Sequence, residues 1–349
     1  MANSKVQKAA LIADPGPKAT IKICSDVPIS EPGPNEILLK LEYTGICGSE
    51  LRALYGFGPY QTVVGHEGVG KVVKLGPGVA DDLMHQRVGV KWVYSACGEC
   101  TICKKGFENN CPKQINTGRH VAGTLQQYVV ADARYVTPIP DDLPSETAAP
   151  LLCAGLTMAG AISKLRDLDN GDWIVISGAG GGLGHLGVQI ASRLAKLRVI
   201  AVDSGEAKRD LSLRSGAEHF VDYSRENVEE RVKAITGEGA AAVLVVPASE
   251  EAFAVAPRLV RNMGTILTIG LPRNDYNVPL SASICSARSL TVTGVATGTE
   301  EQMRELLKHA ASGDIKPAVE VADFDEIPAV FEKLKAGSIV GRIVIKIPQ

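Results

Sequence analysis

The sequence predicts an α/β chain of two domains, one of them built on a doubly wound parallel sheet. Three observations carry that expectation. At 349 residues the chain exceeds what one hydrophobic core usually organises. From about residue 155 to 295, short apolar runs alternate with longer amphipathic ones, the pattern of parallel strands joined through helices. Before that, residues 1 to about 150 carry short β-rich runs punctuated by Gly and Pro, a texture that marks a separate domain.

The strand candidates of the first part are "EILLKLEYTGI", "EGVGKVVKLG", "RVGVKWV" and "TLQQYVVAD". In the middle, "WIVIS", "RVIAV", "HFVDY", "AAVLVV", "TILTIG" and "LTVTG" supply about six strands. Several are continuously apolar, as a sheet covered on both faces requires. Helices are predicted between most of them, among them "LGHLGVQIASRLAK" and "SEEAFAVAPRLVRN". From about 296 onward, "EEQMRELLKHAA" and "IPAVFEKLKAG" read as helices and "GRIVIKI" as a last strand.

Composition narrows the function. The chain is 45% apolar and 22% charged, with 37 basic and 39 acidic side chains and a net charge of -2. No basic stripe stands out, so nucleic acid is not an expected partner. No run of about 20 apolar residues could span a bilayer, and the start lacks the apolar core of a signal peptide. A cytoplasmic protein without a membrane partner is expected. Eight cysteines in so long a chain, half of them tightly clustered, suggest metal binding in a reducing compartment rather than a disulfide framework.

Three motifs carry chemistry. In "CGECTICKKGFENNC", Cys97, Cys100, Cys103 and Cys111 are spaced so that four thiolates on one lobe can surround a tetrahedral Zn²⁺. An iron–sulfur cluster is the alternative occupant. A closed four-sulfur shell leaves no position for a substrate, so this site reads as structural. The second motif is dispersed. Cys47, His66 of "GHEG" and Cys153 of "LLCAG" each have an ordinary packing explanation. Together they make a Cys/His/Cys set, the donor types of a catalytic zinc with an open fourth position. The third is "WIVISGAGGGLGHLGVQIA", in which a strand runs through a glycine-rich turn into a helix whose first N–H groups suit a pyrophosphate. The strict G-x-G-x-x-G spacing is absent; Gly178, Gly181 and Gly184 recur at three-residue intervals, with Gly180 and Gly182 between them. The next strand ends in Asp203, where a carboxylate accepts hydrogen bonds from ribose hydroxyls and repels a 2′-phosphate, favouring NAD(H).

On these motifs and their order, closing with "IVGR", the chain resembles the zinc-dependent medium-chain alcohol dehydrogenases, nearest in pattern to the yeast-type branch. The resemblance implies a GroES-like β-rich catalytic domain of residues 1–155, completed by 296–349, and an NAD-binding Rossmann domain of residues 156–295. It implies that Cys47, His66 and Cys153 bind the catalytic zinc with Glu67 nearby, and that Cys97, Cys100, Cys103 and Cys111 bind a structural one, two zinc ions per chain. Gly178, Gly180, Gly181, Gly182, Leu183 and Gly184 would hold NAD(H) with Asp203. Lys208 would reach the adenosine ribose and Arg342 the cofactor phosphates. Cys24 and Cys285 match nothing in the pattern and read as packing residues. A homodimer or homotetramer acting on a small-molecule alcohol or carbonyl is expected, with the active site in the cleft between the domains.

The implied reaction is reversible hydride transfer between an alcohol and NAD, with Ser49 taking the substrate hydroxyl proton. Three residues depart from the pattern. Gly48 stands where many relatives carry a cationic or imidazole side chain. Glu50 replaces an Asp that orients the zinc-bound imidazole. Arg52 replaces a proton-passing histidine, a role that a permanently charged guanidinium cannot fill. Arg52 would instead pair with Glu50, a cofactor phosphate or an anionic substrate. The segment "LYGFGPYQTV" differs from the small-alcohol pocket while Trp92 is kept, so a substrate bulkier than ethanol is expected. A same-fold isomerase or cyclase with no net redox conversion is the alternative, and a non-enzymatic scaffold the third reading.

Overall fold

The computed structural model describes residues 5–272 and 276–349. The chain divides into two compact units, one formed by the residues up to Ala154 together with Thr299–Gln349, the other by Gly155–Gly298.

In the first unit, β1 (Val6–Ala13) and β2 (Thr20–Pro28) pair as an antiparallel ribbon. The main sheet takes β3 (Glu36–Gly45), β4 (Gly68–Leu75), β5 (Arg87–Val90), β8 (Tyr128–Asp132) and β9 (Thr137–Pro138) from the first part of the chain. Its other strands, β16 (Val319–Asp323) and β17 (Arg342–Lys346), come from the C-terminal end. The strand order is β16-β17-β3-β4-β5-β9, with β8 also paired to β3. Between β5 and β8 lies a small ribbon of β6 (Val93–Ser95) and β7 (Ile115–Asn116). Alternation along β3 puts Ile37, Leu39 and Leu41 wholly inside, where Phe331 of the helix Ile327–Lys335 and Ile345 of β17 join the same core. Because Val344 lies opposite Gly45, and the Ile46 N–H donates to the Ile343 carbonyl at 3.0 Å, the last strand runs beside the approach to Cys47.

One buried cation is matched by an anion in this unit. Lys91, 8% exposed, reaches Glu300 at 2.5 Å and donates to the Tyr135 carbonyl at 3.0 Å. Glu300 opens the helix Glu300–Ala311, whose Thr299–Gln302 capping box satisfies its first N–H groups. Removing one member of such a pair would strand the other charge in the interior.

The second unit is a six-stranded parallel sheet of β10 (Trp173–Ser177), β11 (Arg198–Asp203), β12 (His219–Asp222), β13 (Ala240–Val245), β14 (Val260–Thr268) and β15 (Thr291–Gly294). Its order, β12-β11-β10-β13-β14-β15, reverses direction at β10, which makes the carboxyl end of β10 the switch point of a doubly wound sheet. Every residue of β13 is buried, as a strand covered on both faces requires. The predicted helix through Asn262 ends at Leu259, because Val260 already pairs with Ala240 in the sheet. The helix after the glycine turn, Gly184–Gln189, widens into a π turn over Ile190–Leu194. Among the described residues no single helix is long and apolar enough to cross a membrane.

Candidate active site

Cys47 sits two residues beyond β3, just ahead of the short helix Glu50–Leu54. His66 and Glu67 immediately precede β4, and Cys153 follows a 3-10 turn over Ala149–Leu152. Gly45 is dictated by this packing, since an added Cβ would lie 3.0 Å from the Glu67 Cδ with the carboxylate closer still. Folding therefore brings Cys47, His66, Glu67 and Cys153 together, their donor atoms all within 4.8 Å of one another.

These residues fit a metal. Two zinc–sulfur bonds of about 2.3 Å at a tetrahedral angle place the sulfurs about 3.8 Å apart, and the Cys47 and Cys153 Sγ atoms are 3.8 Å apart. His66 Nε2 is 3.3 Å from the Cys153 Sγ, so that nitrogen faces the sulfurs. Its Nδ1 faces Glu50 Oε1 at 3.7 Å, too long for a hydrogen bond. The longer arm that replaces the expected Asp thus leaves Glu50 Oε1 without a hydrogen-bond partner among the described residues, while Oε2 accepts weakly from the Cys47 N–H at 3.4 Å. Trp92 packs edge-on against the His66 ring, with centroids 5.2 Å apart.

The cluster is charged, buried and interdependent. A hydrogen bond from Cys153 holds the Cys47 thiol well below its usual range, and the same bond pushes Cys153 up. Burial lowers the pKa of His66, but the hydrogen bond and charge of Cys47 overcome it and push it up to about 9. Burial raises Glu50 to about 8 and also raises Glu67. Glu67, 0% exposed, pairs with Arg342, itself 4% exposed, across 275 positions of sequence. The resemblance implied a phosphate partner for Arg342; in the structure its guanidinium lies against Glu67 beside the donor cluster. Burial opposes the Arg342 charge, yet Glu67 and Cys47 hold its pKa above the ordinary value.

Beside the cluster lies a small recess lined by Ser49, Glu50, Tyr60, Val64, Gly65, His66, Trp92, Thr117 and Gly118. Ser49 Oγ donates to the Cys47 Sγ at 3.2 Å, placing its hydroxyl between sulfur and recess. The Arg52 guanidinium lies over the Phe57 ring, 5.8 Å from its centroid. At Gly48 an added Cβ would meet nothing within 4 Å among the described residues.

The second cluster is local. Cys97, Cys100, Cys103 and Cys111 hold their sulfurs within 4.8 Å of one another, with Cys97 3.9 Å from Cys103 and 3.6 Å from Cys111. These spacings also suit a tetrahedral four-thiolate shell. Gly98 at φ +71° and Gly106 at φ +79° turn the lobe back on itself. Backbone N–H groups of Cys103 and Lys113 donate to the Cys100 and Cys111 sulfurs, each at 3.4 Å. N–H groups of Cys100 and Glu99 pull Cys97 down to about 6. Cys24 on β2 and Cys285 on the helix Ala282–Arg288 are half-buried and belong to neither cluster.

In the second unit, Gly178 has φ +74° and packs on Pro247. A Cβ at Gly180 would fall 2.7 Å from the Lys208 Cα, and one at Gly184 2.6 Å from the Ala179 Cα, so turn and helix touch backbone to backbone. Gly181, Gly182 and Leu183 are half-buried at the rim of the turn. Asp203 Oδ2 accepts from the Gly180 N–H at 2.9 Å, Oδ1 accepts from the Ser204 N–H at 2.9 Å, and Lys208 Nζ lies 3.3 Å from Oδ1. The carboxylate at the end of β11 is thereby locked against the glycine turn.

Thr117 lines the recess without having been singled out from sequence, whereas Tyr60 belongs to the segment "LYGFGPYQTV" already read as part of the pocket. Thr117 sits in a commonplace Asn-Thr-Gly turn, and no spacing ties it to His66.

The chain is similar to known proteins along nearly its whole length. Residues 33–141 match the alcohol dehydrogenase GroES-like domain and residues 182–312 the zinc-binding dehydrogenase domain. Alcohol dehydrogenase 2 of Emericella nidulans is 43% identical, over 98% of this chain and 97% of that protein. Among solved structures, the alcohol dehydrogenase of Aeropyrum pernix is similar at 27% identity and TM-score 0.89, covering 98% of this chain and 100% of that one. Acetophenone reductase of Geotrichum candidum, solved in complex with NAD, is similar at 28% identity and TM-score 0.84, covering 98% and 97%.

Proposed function

The chain belongs to the zinc-type medium-chain alcohol dehydrogenases, and on that premise we propose that it is an NAD(H)-dependent alcohol dehydrogenase or carbonyl reductase with two zinc ions. The observation that carries the reading is the buried convergence of Cys47, His66, Glu67 and Cys153 beside a recess that Ser49 and Trp92 share. Zinc held by Cys47, His66 and Cys153 supplies Lewis acidity that lowers the pKa of a bound hydroxyl, and the nicotinamide supplies the hydride acceptor.

The chain's own residues do the rest. Ser49 Oγ, beside the Cys47 sulfur, accepts the substrate's hydroxyl proton as it gives its own to solvent water. Glu50 faces the His66 Nδ1 and biases the ring so that Nε2 points at the sulfurs. Trp92 covers one edge of the imidazole and keeps water from that side. Arg342 neutralises Glu67, so a second buried carboxylate is tolerated close to the donors. Asp203, held by the Gly180 N–H, is poised for the ribose diol and against a 2′-phosphate, with Lys208 beside it. Cys97, Cys100, Cys103 and Cys111 hold the second zinc for stability alone.

The substrate on this reading is bulkier than ethanol. That reading rests on the segment "LYGFGPYQTV", which departs from the small-alcohol pattern and supplies Tyr60 to the wall of the recess. A homodimer or homotetramer is part of the same proposal. The test is a screen of alcohols and carbonyls of graded size with NAD(H) and NADP(H), followed by nicotinamide absorbance and product analysis. NAD-coupled turnover is expected. Product without lasting change in NADH would instead establish an isomerase or cyclase, and a preference for NADP(H) would overturn the role of Asp203.

A further inference from the structure

We propose that Arg119 forms an anion-binding site at the rim of the recess, outside it, and that its ligand is a carboxylate. The proposal rests on the alcohol dehydrogenase reading and deepens it, by adding a charged group to what the enzyme recognises.

Two loops build that rim. The Gln61 N–H donates to the Gly118 carbonyl at 3.3 Å, and the Gln61 side-chain amide donates to the His120 carbonyl at 3.1 Å. Further along, the Gly123 and Thr124 N–H groups donate to the Val63 and Gly65 carbonyls at 2.8 and 3.1 Å. Residues 51–66 and 112–131, which these bonds join, contain Arg52, Lys113 and Arg119 but no Asp or Glu, in a chain with 39 acidic side chains. Neither loop therefore supplies an anion of its own. Lys113 finds Glu99 at 3.7 Å, outside both loops. Glu50 and Glu67, which adjoin the first loop, are 2% and 0% exposed within the donor cluster.

Arg119 is fixed in place and left unpaired. Its guanidinium stacks on the Tyr60 ring, 5.6 Å from the centroid, and its backbone N–H donates to the Asn116 carbonyl at 3.3 Å. Nε is closed off from solvent, and the side chain has no hydrogen-bond or ion-pair partner among the described residues. The two Nη groups are not closed off in that way, so the half-buried side chain presents them outward. An added Cβ at Gly58 would meet only the Arg119 Nη2 among the described residues, at 3.9 Å, so a glycine leaves that edge of the fork uncovered. Arginines at comparable depth do find acceptors: Arg87 donates to Ser145, Arg288 to the Pro257 carbonyl, and Arg261 pairs with Asp172.

A guanidinium held by stacking and lacking an acceptor is preorganised for a carboxylate, met end-on by the two Nη groups. Tyr60 and Gly118 line the recess, so a carboxylate on Arg119 lies next to it. That carboxylate can come from two sources: the far end of the substrate, or a free anion that acts on the Tyr60 wall.

The test uses zinc-loaded wild type, Arg119→Gln and Arg119→Lys. It compares 4-hydroxybutanoate and 6-hydroxyhexanoate with butan-1-ol and hexan-1-ol, and adds acetate as the free anion. Where the substrate supplies the carboxylate, the wild type prefers at least one hydroxy acid to its neutral counterpart. Arg119→Gln then lowers kcat/KM for that acid by about 10–100-fold, mainly through KM, and leaves the neutral alcohols within about twofold. Arg119→Lys keeps most of the preference. Where the anion is free, acetate shifts the KM of butan-1-ol in the wild type, and Arg119→Gln raises the acetate concentration needed by about 10-fold or more. The proposal is overturned if glutamine alters neither the hydroxy acids nor the acetate effect, as when acetate sits only on the catalytic zinc. It is overturned equally if glutamine depresses charged and neutral alcohols alike. Should the wild type oxidise no alcohol, the alcohol dehydrogenase reading fails, and acetate binding followed by saturation-transfer NMR still decides the role of Arg119. Equal binding by wild type and Arg119→Gln rejects the site, and weakened binding by the variant upholds it.

Discussion

Cys97, Cys100, Cys103 and Cys111 come from one short loop, whereas Cys47, His66, Glu67 and Cys153 are gathered from three separate segments of the same unit. Both groups hold their donor atoms within 4.8 Å. Their surroundings differ. The loop cluster is braced by its own backbone, through glycine turns and N–H groups aimed at sulfur, and it uses four donors of one kind. The dispersed cluster is braced by the sheet, with β17 bringing Arg342 to Glu67, and it opens on a recess. A set of donors that completes itself locally can lend its metal's binding energy to folding. One that depends on the fold for its assembly can leave a position for substrate.

The comparison is broken most severely by removing a donor from the dispersed cluster. Cys47→Ser should lower kcat/KM by about a thousandfold or more, the several kcal/mol that Lewis-acid assistance supplies. Its melting temperature should stay within a few degrees of the wild type, and steady-state kinetics with a thermal melt check both. Retained activity would remove Cys47 from the site.

The opposite signature is expected of Cys111→Ser. Losing a structural metal site should cost about 3 kcal/mol or more and lower the melting temperature by roughly 10 °C. Activity per folded molecule, assayed well below that transition, should remain within a few-fold. A melting temperature that does not move would show that the lobe stands without its metal.

A smaller effect sharpens the account of Glu50. Its carboxylate faces His66 at 3.7 Å, longer than a good hydrogen bond. Glu50→Gln should therefore weaken retention of the catalytic metal by about 10-fold, the low end of the range for partners that orient a ligating histidine. Competition with a chelator of known affinity measures it, and a 100-fold loss would mean that the Glu50–His66 contact tightens when metal is bound.

How much of this was legible in the sequence follows the same division. The four-cysteine loop could be read whole, because its ligands are neighbours and their spacing is the geometry. The succession of β10 to β15 along the chain followed from short, largely apolar runs alternating with helical ones, although the helix ending at Leu259 was drawn three residues too long where sheet pairing begins. The donors Cys47, His66 and Cys153 were legible only as a set of types, and through resemblance to a family. The pairing of Arg342 with Glu67 could not be read, since it depends on β17 settling beside β3. Nor could the unpartnered guanidinium of Arg119, because an unmet hydrogen bond has no signature in sequence.

The central claim, two metal centres with separate tasks, is tested most directly by stepwise chelation of the wild-type holoenzyme. Zinc content, activity and melting temperature are followed on the same samples. The account predicts about two zinc ions per chain at the start. Loss of the first should abolish activity and leave the melting temperature within a few degrees, and loss of the second should bring the melting temperature down. A single zinc per chain, or activity and thermal stability disappearing together with the first ion, would contradict it.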